Sequence, residues 1–539
     1  MSTASIARPY RWAAPGDVNG FFALMLDNVI NLALLGGILV GGFGFPADLV
    51  YTRMFPGTAL GVMVGDLVYT WLAFRLAKKT GRSDITAMPL GLDSPSTIGM
   101  ALAVLGPAFI AAKARMPEAD AAIVAWQVGM AAMVLIGVFK VIMSFFGEAV
   151  RRLIPEAGLL GAIGGVAIAL LGALQLGEIY SEPVVGMIAL GIVIYALVAK
   201  LRLPLRMPAI LASVLVGAVL YYAMGAMGLS THSIARPALN FPMGVPLPTL
   251  GFMEGLPIVL RDYLPLALPF AILTIIGGIT VTESARLAGD DYNTRDILLT
   301  EAVATLIAGM FGGVSQSTPY IGHPAYKAMG SRAAYTLATG LFFGLGGMLG
   351  YIAFLADALP RPALAATLVF IAMDITEQAY LATPARHSAA VTFAVLPSIA
   401  QLVVIFLSQT YNGALMTAAL DPAAAMKATG LTNPGFVQLC GVMIMLANGF
   451  ILTAMLWGGA VAFLVDRRIG RAAIVLLVCA GLSLFGVIHS VLPTGGVYLP
   501  WGVSSTQPYQ WTAAYVGLAI VLVLLWNVSG KTAAEPAAA

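Results

Sequence analysis

The 539 residues carry 28 Lys+Arg and 25 Asp+Glu, so charged side chains make up 10% of the chain, against about 25% in a soluble domain. With 60% hydrophobic residues and a mean hydropathy of +0.92, this composition cannot be wrapped in a water-soluble coat, which excludes a soluble globular protein. A net charge of +3 without a basic stripe argues against nucleic acid as a partner. Two cysteines, Cys440 and Cys479, both inside apolar runs, exclude a disulfide framework and a Cys-rich metal site.

Residues 1–18 lack the pattern of a cleaved secretory signal, so the first apolar run is expected to remain in the protein. Crossing the hydrocarbon takes about 20 apolar residues as a helix. Sixteen candidate runs lie near 20–42, 56–77, 86–111, 121–143, 156–176, 184–200, 207–228, 263–286, 296–314, 318–330, 333–356, 361–375, 387–408, 436–464, 472–491 and 510–528. With the N-terminus inside, 21 of the 28 Lys and Arg fall on the cytoplasmic side, Lys140 among them in a group with Arg151 and Arg152. That bias is the one retained positive charge produces. The expected location is a bacterial-type inner membrane, with both termini cytoplasmic and lipid as the surrounding partner.

Two runs are interrupted alike. The third contains Pro89-Leu-Gly-Leu-Asp93-Ser-Pro95-Ser-Thr97, and the tenth contains Ser317-Thr-Pro319-Tyr-Ile-Gly322-His323-Pro324. Each is third in a set of seven, and an odd number of spans per repeat turns the second copy upside down. Interrupted spans at matching places in inverted repeats point to a binding site at mid-membrane. Proline removes a backbone donor and clashes with the preceding turn, and backbone groups so freed are tolerated only where protein lines a cavity. The competing reading is two spans merely kinked for packing.

The expected fold is therefore an all-α polytopic membrane protein with a seven-plus-seven inverted repeat and about two extra C-terminal spans. Residues 1–19 form a cytoplasmic N-terminus, 20–228 the first repeat, 229–262 an extracytoplasmic loop, 263–464 the second repeat, and 465–539 the extra spans and a short tail. Gly161-Ala-Ile-Gly164-Gly165 reads as helix packing.

Four ionisable residues stand within spans: Asp27, Asp93, Glu283 and His323. Such residues usually face a polar interior. No Lys or Arg falls mid-span beside them, which suits proton uptake and release by Asp27, Asp93 and Glu283, with sodium as the competing ion. The structural alternatives are an interfacial Glu283 paired with Arg286, Asp27 packed with Asn28 and Asn31, His323 satisfying a broken-helix carbonyl, and Asp93 capping the half-helix that starts at Ser94. No phosphate loop, zinc motif or nucleophile–base constellation occurs, so no cofactor, metal or enzymatic activity is expected.

Glu283 through Asp290-Asp-Tyr-Asn-Thr-Arg-Asp296, the run from Thr300 to Gly313, the broken Ser317 segment, Asp374-Ile-Thr-Glu377 and Ala394-Val-Leu-Pro397-Ser-Ile-Ala400 resemble the xanthine/uracil/ascorbate permeases, the adenine/guanine/hypoxanthine branch above all. The resemblance covers about residues 260–405. It implies a core domain of spans 1–4 and 8–11 and a gate domain of spans 5–7 and 12–14 that move against each other. It implies proton-coupled nucleobase uptake, with Glu283 accepting hydrogen bonds from the base and backbone near Leu92, Asp93, Gly322, His323 and Ala325 completing the site. It leaves a homodimer as a further expectation. An inorganic anion transporter of the sulfate/bicarbonate type on the same architecture is the alternative.

Overall fold

The structure is a computed structural model that describes residues 10–146, 155–204, 207–230, 239–320, 322–410, 426–427, 430, 432–492 and 496–529. The side chains of residues 94, 95, 265, 266, 268, 269, 272, 273, 276, 280, 283, 287, 371 and 408–410 lie outside that description. Among the described residues, nine helices are long and apolar enough to cross a membrane, or up to eleven if each of two bent pairs counts as one span.

The chain runs through α1 (Gly16–Gly42), α2 (Ala47–Thr80), β1 (Leu90–Leu92), α3 (Ser94–Gly99), α4 (Glu118–Ser144), α5 (Glu156–Ser181), α6 (Pro183–Val198), α7 (Ala209–Ala226) and α8 (Gly251–Ile258). It continues through α9 (Leu264–Leu287), α10 (Thr294–Met310), β2 (Ser317–Pro319), α11 (His323–Ala328), α12 (Ala334–Leu349), α13 (Tyr351–Ala358) and α14 (Arg361–Leu381). It ends with α15 (Ser388–Thr410), α16 (Pro434–Ala447), α17 (Phe450–Val465), α18 (Ile469–Leu484) and α19 (Gln507–Ser529). The bent pairs turn by 90° at Gly350 and by 78° around Gly449, both in the left-handed region (φ 80° and 73°) that glycine enters without strain. The stretch from Met373 to Tyr380, which reads in sequence as a linker or interfacial segment, continues the helix α14.

The chain divides into two compact units. The first holds Met1–Gly147, Ala173–Val259 and Phe270–Ile371, so it contains α1–α4, most of α9, and α10–α13. It also takes in α6 and α7, because their small residues close on the start of α14: Val185 and Ala189 pack with Ala363 and Ala366. Residues 251–258, within the stretch expected as a loop, form α8, and Gly255 lets it lie directly on the Gln127 backbone of α4.

The second unit holds Glu148–Gly172, Leu260–Pro269 and Ala372–Ala539. Here Gly161 and Gly165 of α5 sit against Ala394 and Ser398 of α15, the packing that the small-residue spacing suggests. The last two helices dock on α17 through Ala460, Cys479, Ala480, Ile488 and Tyr515. His489 is stacked on Trp511 and hydrogen-bonded at 2.7 Å to Tyr515 Oη, which also accepts from Trp457. Cys440 and Cys479 are both buried free thiols.

Close approach is built into the first unit at Gly61 of α2, where an added Cβ would stand 2.7 Å from both the Ala304 carbonyl oxygen and the Ala308 Cβ of α10. Gly61→Val is expected to destabilise by about 1–3 kcal/mol through overpacking. Thermal unfolding of the purified protein checks this, and an unchanged midpoint would contradict the packing.

Candidate functional site at the strand crossing

The two proline-interrupted spans meet. β1 and β2 pair antiparallel with Leu90 opposite Pro319, Gly91 opposite Thr318 and Leu92 opposite Ser317. Flanking bonds extend the pairing: Tyr320 N–H donates to Pro89 O at 2.8 Å, and Asp93 N–H to Gln316 O at 3.1 Å. Backbone that proline excludes from a helix thus finds partners across the crossing, as hydrocarbon surroundings demand. One strand comes from the third span of each repeat, and antiparallel pairing is what inverted copies produce.

α1 fastens to this crossing with two asparagines one turn apart. Asn28 Oδ1 accepts from Leu92 N–H at 2.7 Å, and Asn31 Nδ2 reaches Leu92 O at 3.5 Å. Asp27 is buried, and its Oδ2 lies 3.5 Å from the point where a Cβ on Gly91 would stand. From α2, buried Asp66 accepts from Leu90 N–H at 3.3 Å, while its second carboxylate oxygen has no hydrogen-bond partner. At the other strand end, Asp93 caps α3 by accepting from Ser96 N–H at 3.0 Å. Gln316 Nε2 donates to Ser96 Oγ at 2.7 Å, and Thr97 and Ser315 hydroxyls share a 2.5 Å hydrogen bond, tying the two broken spans together.

A charge pair stands beside β2 that the sequence reading places elsewhere. Lys140 of α4, counted by position with the cytoplasmic basic groups, is buried: its Nζ lies 2.7 Å from Glu301 of α10, with both side chains 1% exposed. The same ammonium is 3.4 Å from Ser317 O of β2. A cation therefore does stand among the buried acids, contrary to the expectation of none.

His323 and Gly322 start α11, and both turn to their own fold. Gly322 O accepts from Ala325 N–H at 2.9 Å. His323 Nε2 lies 3.2 Å from Asp290, in the loop after α9, which also accepts from Lys327 and from Thr86 N–H. Burial pushes the Asp290 carboxyl up, but the hydrogen bonds from His323 and Lys327 outweigh it and hold the group below the usual carboxylate range. Arg82 and Asp84 complete this cluster, and Tyr292 Oη donates to Thr86 O at 2.6 Å. The backbone of Glu283 lies in the last turns of α9, and its side chain lies outside the described residues.

Of the residues singled out in sequence, Asp27, Leu92 and Asp93 come together at the crossing. His323 and Ala325 are engaged with Asp290 and Gly322, and the amides of Leu92 and Ala325 both have acceptors within the protein. Asp66, Lys140 and Glu301 are not among the sequence candidates, while Asn31 is named there only as a packing partner of Asp27 and Asp290 only within the compared motif. Asp66 and Glu301 were visible as acids inside apolar runs; Lys140 shared the buried face of Met133, Ile136 and Gly137. Among the described residues, no group of three or more His, Cys, Asp or Glu is placed to hold a metal ion.

No family model matches the chain, and no curated protein sequence matches it. Solved structures do. The transmembrane domain of a cyanobacterium bicarbonate transporter, BicA, superimposes with a TM-score of 0.50 over 73% of this chain and 96% of that one, at 18% identity. SLC26A9 superimposes at 0.51 and 13% identity over 73% of this chain, which spans 65% of SLC26A9. The murine Slc26a9 anion transporter in its inward-facing state gives 0.47 at 15% identity, over 73% and 68%. The fold is thus the one shared by the BicA transmembrane domain and SLC26A9, a multi-span helical fold with the inverted repeat expected from sequence. The resemblance to nucleobase permeases is overturned: the matching folds are those of BicA and SLC26A9. Of the motifs that carried the resemblance, only the Ser317 segment lies in a broken span; Asp374–Glu377 and Ala394–Ala400 lie within the long helices α14 and α15.

Lys140→Met alone strands Glu301 in the interior and is expected to cost about 3–5 kcal/mol, whereas Lys140→Met with Glu301→Gln recovers most of that loss. Thermal unfolding of wild type, Lys140→Met, Glu301→Gln and the double variant checks it, and equal losses in Lys140→Met and the double variant would contradict it. Asp290→Asn is expected to cost about 2 kcal/mol. Since the Asp290 pKa is depressed on folding, its contribution is present above the ordinary value of 3.8 and fades as the pH falls through the lower folded value. Unfolding midpoints of wild type and Asp290→Asn should accordingly stay apart at pH 5 and converge only as the pH falls below 3.8 toward the lower folded value.

Proposed function

We propose that this chain is a secondary active transporter of a small inorganic anion, of the bicarbonate or sulfate type, working by alternating access in a bacterial-type inner membrane with both termini cytoplasmic. The observation that carries the reading is the β1–β2 crossing of two interrupted spans, in a fold shared over 96% of a bicarbonate transporter's transmembrane domain. A site built from strand ends, half-helices and short hydroxyl side chains, Ser96, Thr97, Ser315 and Ser317, suits a compact polar solute. Lys140, paired with Glu301, lies 3.4 Å from the Ser317 carbonyl and so holds β2 in place. Asn28 holds the Leu92 backbone, and so the edge of the crossing, in one position.

The test is uptake of radiolabelled sulfate and bicarbonate by proteoliposomes. Saturable uptake absent from protein-free vesicles is expected, and no uptake of either anion would contradict the reading. Asn28→Ala, which releases Leu92 N–H, is expected to lower the rate about tenfold or more while leaving the protein folded, since small misplacements of a positioned site are costly. Flux at the wild-type rate would remove Asn28 from that role.

A further inference from the structure

Burying charge demands compensation, and the first unit is unbalanced. Asp27, Asp66 and Glu301 are buried and Asp93 is half-buried, while Lys140 is the one buried Lys or Arg among the described residues. Lys140 answers Glu301, and Asp93 is answered by its cap hydrogen bonds. Asp27 has neither: among the described residues, its side chain is approached by a single donor, Asn31 Nδ2, at 3.5 Å. That is too long for a strong hydrogen bond. An anion entering beside an ionised, uncompensated Asp27 would meet like charge in a medium that screens poorly.

The surroundings of Asp27 are rich in oxygen. Asn31, a full turn along α1, aims its carboxamide at the Asp27 main-chain oxygen (3.0 Å), Asp27 Oδ2 (3.5 Å) and Leu92 O (3.5 Å). Its own Oδ1 is fully buried and has no partner. Turning the carboxamide over would set Oδ1 against those three oxygens, an arrangement that is repulsive unless a cation stands among them. Oxygens held about 2.4 Å from a hard cation and at right angles to one another are about 3.4 Å apart. The measured spacings have that size. A proton on Asp27 Oδ2 would bridge to the turned Asn31 Oδ1 alone, whereas a cation is shared by all four oxygens.

We propose that Asp27 Oδ2, Asn31 Oδ1 and the main-chain oxygens of Asp27 and Leu92 form a site for a small monovalent cation, Na⁺, joining α1 to β1. The proposal deepens the anion reading and rests on it for its purpose. Occupancy cancels the Asp27 charge next to the crossing, so cation and anion each strengthen the other's binding, the reciprocal coupling that symport requires. It also replaces the long Asn31 Nδ2 contact to the Leu92 carbonyl by a shared cation, adding to the hold that Asn28 has on the Leu92 amide.

The experiment is thermal unfolding of the purified full-length protein in sodium gluconate against choline gluconate at equal ionic strength, which needs no transported anion. For wild type, on the order of 100 mM Na⁺ is expected to raise the midpoint by about 2–4 °C. Asp27→Asn and Asn31→Leu are expected to lose that rise; should Asp27→Asn fail to fold, Asn31→Leu decides alone. No Na⁺-dependent rise in wild type, or a full rise in Asn31→Leu, overturns the site. Anion uptake driven by a pH gradient and indifferent to Na⁺ overturns it as well. A Na⁺-dependent rise lost in the variants, in a protein that carries neither sulfate nor bicarbonate, supports the site and removes the anionic cargo.

Discussion

Backbone hydrogen bonding without water is the constraint on which this architecture turns. A helix interrupted by proline inside a membrane leaves amides and carbonyls that only other protein groups can answer. Here the two interrupted segments answer each other through the β1–β2 pairing, and what remains is taken up by side chains: Asn28 for the Leu92 amide, Asp66 for the Leu90 amide and Asp93 for the Ser96 amide. Three elements, α1, α2 and the crossing itself, are therefore fixed by the same few polar atoms. The glycines of α2 then allow α10 to approach closely enough to support β2 from behind.

Electrostatics adds a second layer. Lys140 and Glu301 form a buried pair whose ammonium also faces the Ser317 carbonyl, so the strand from the second repeat is tied to charge on α4. At the loop side, Asp290 gathers His323, Lys327 and the Thr86 amide, locking the entry to β1 and the start of α11 into one cluster. In both arrangements the carboxylate faces a cationic side chain of the protein itself. Among the described residues, Asp66 and Asp27 each have a single long donor, at 3.3 and 3.5 Å. Only Asp27 also has the unpartnered Asn31 carboxamide oxygen one turn away and the Leu92 carbonyl within reach of the same side chain, and this combination singles it out as the place where an ion has something to do.

The sequence made the large features legible because they follow from coarse physics. Low charge forced a membrane protein, and matched prolines at 89, 95, 319 and 324 located the crossing before any coordinates. What stayed hidden depends on rotation about a helix axis. Lys140 near a span's end reads as an interfacial residue unless the face it shares with Met133, Ile136 and Gly137 is known to be buried. The same applies to Glu301. His323 read as a ligand candidate because nothing in the chain ties position 323 to Asp290, thirty-three residues earlier. The family was misread for another reason: the compared motifs are short and scattered, and the matching folds are those of BicA and SLC26A9.

The pairing of the two broken spans can be tested by a crosslink at Gly91 and Thr318, which stand directly opposite one another. Opposed residues in an antiparallel pair have Cα atoms about 4.5–5.5 Å apart, inside the range a disulfide spans. In a background with Cys440 and Cys479 replaced, Gly91→Cys with Thr318→Cys should form a disulfide in membranes under mild oxidation, identified by mass spectrometry of the linked peptides. Absence of that linked peptide, with both cysteines accounted for as free thiols in folded protein, would contradict the crossing and with it the site.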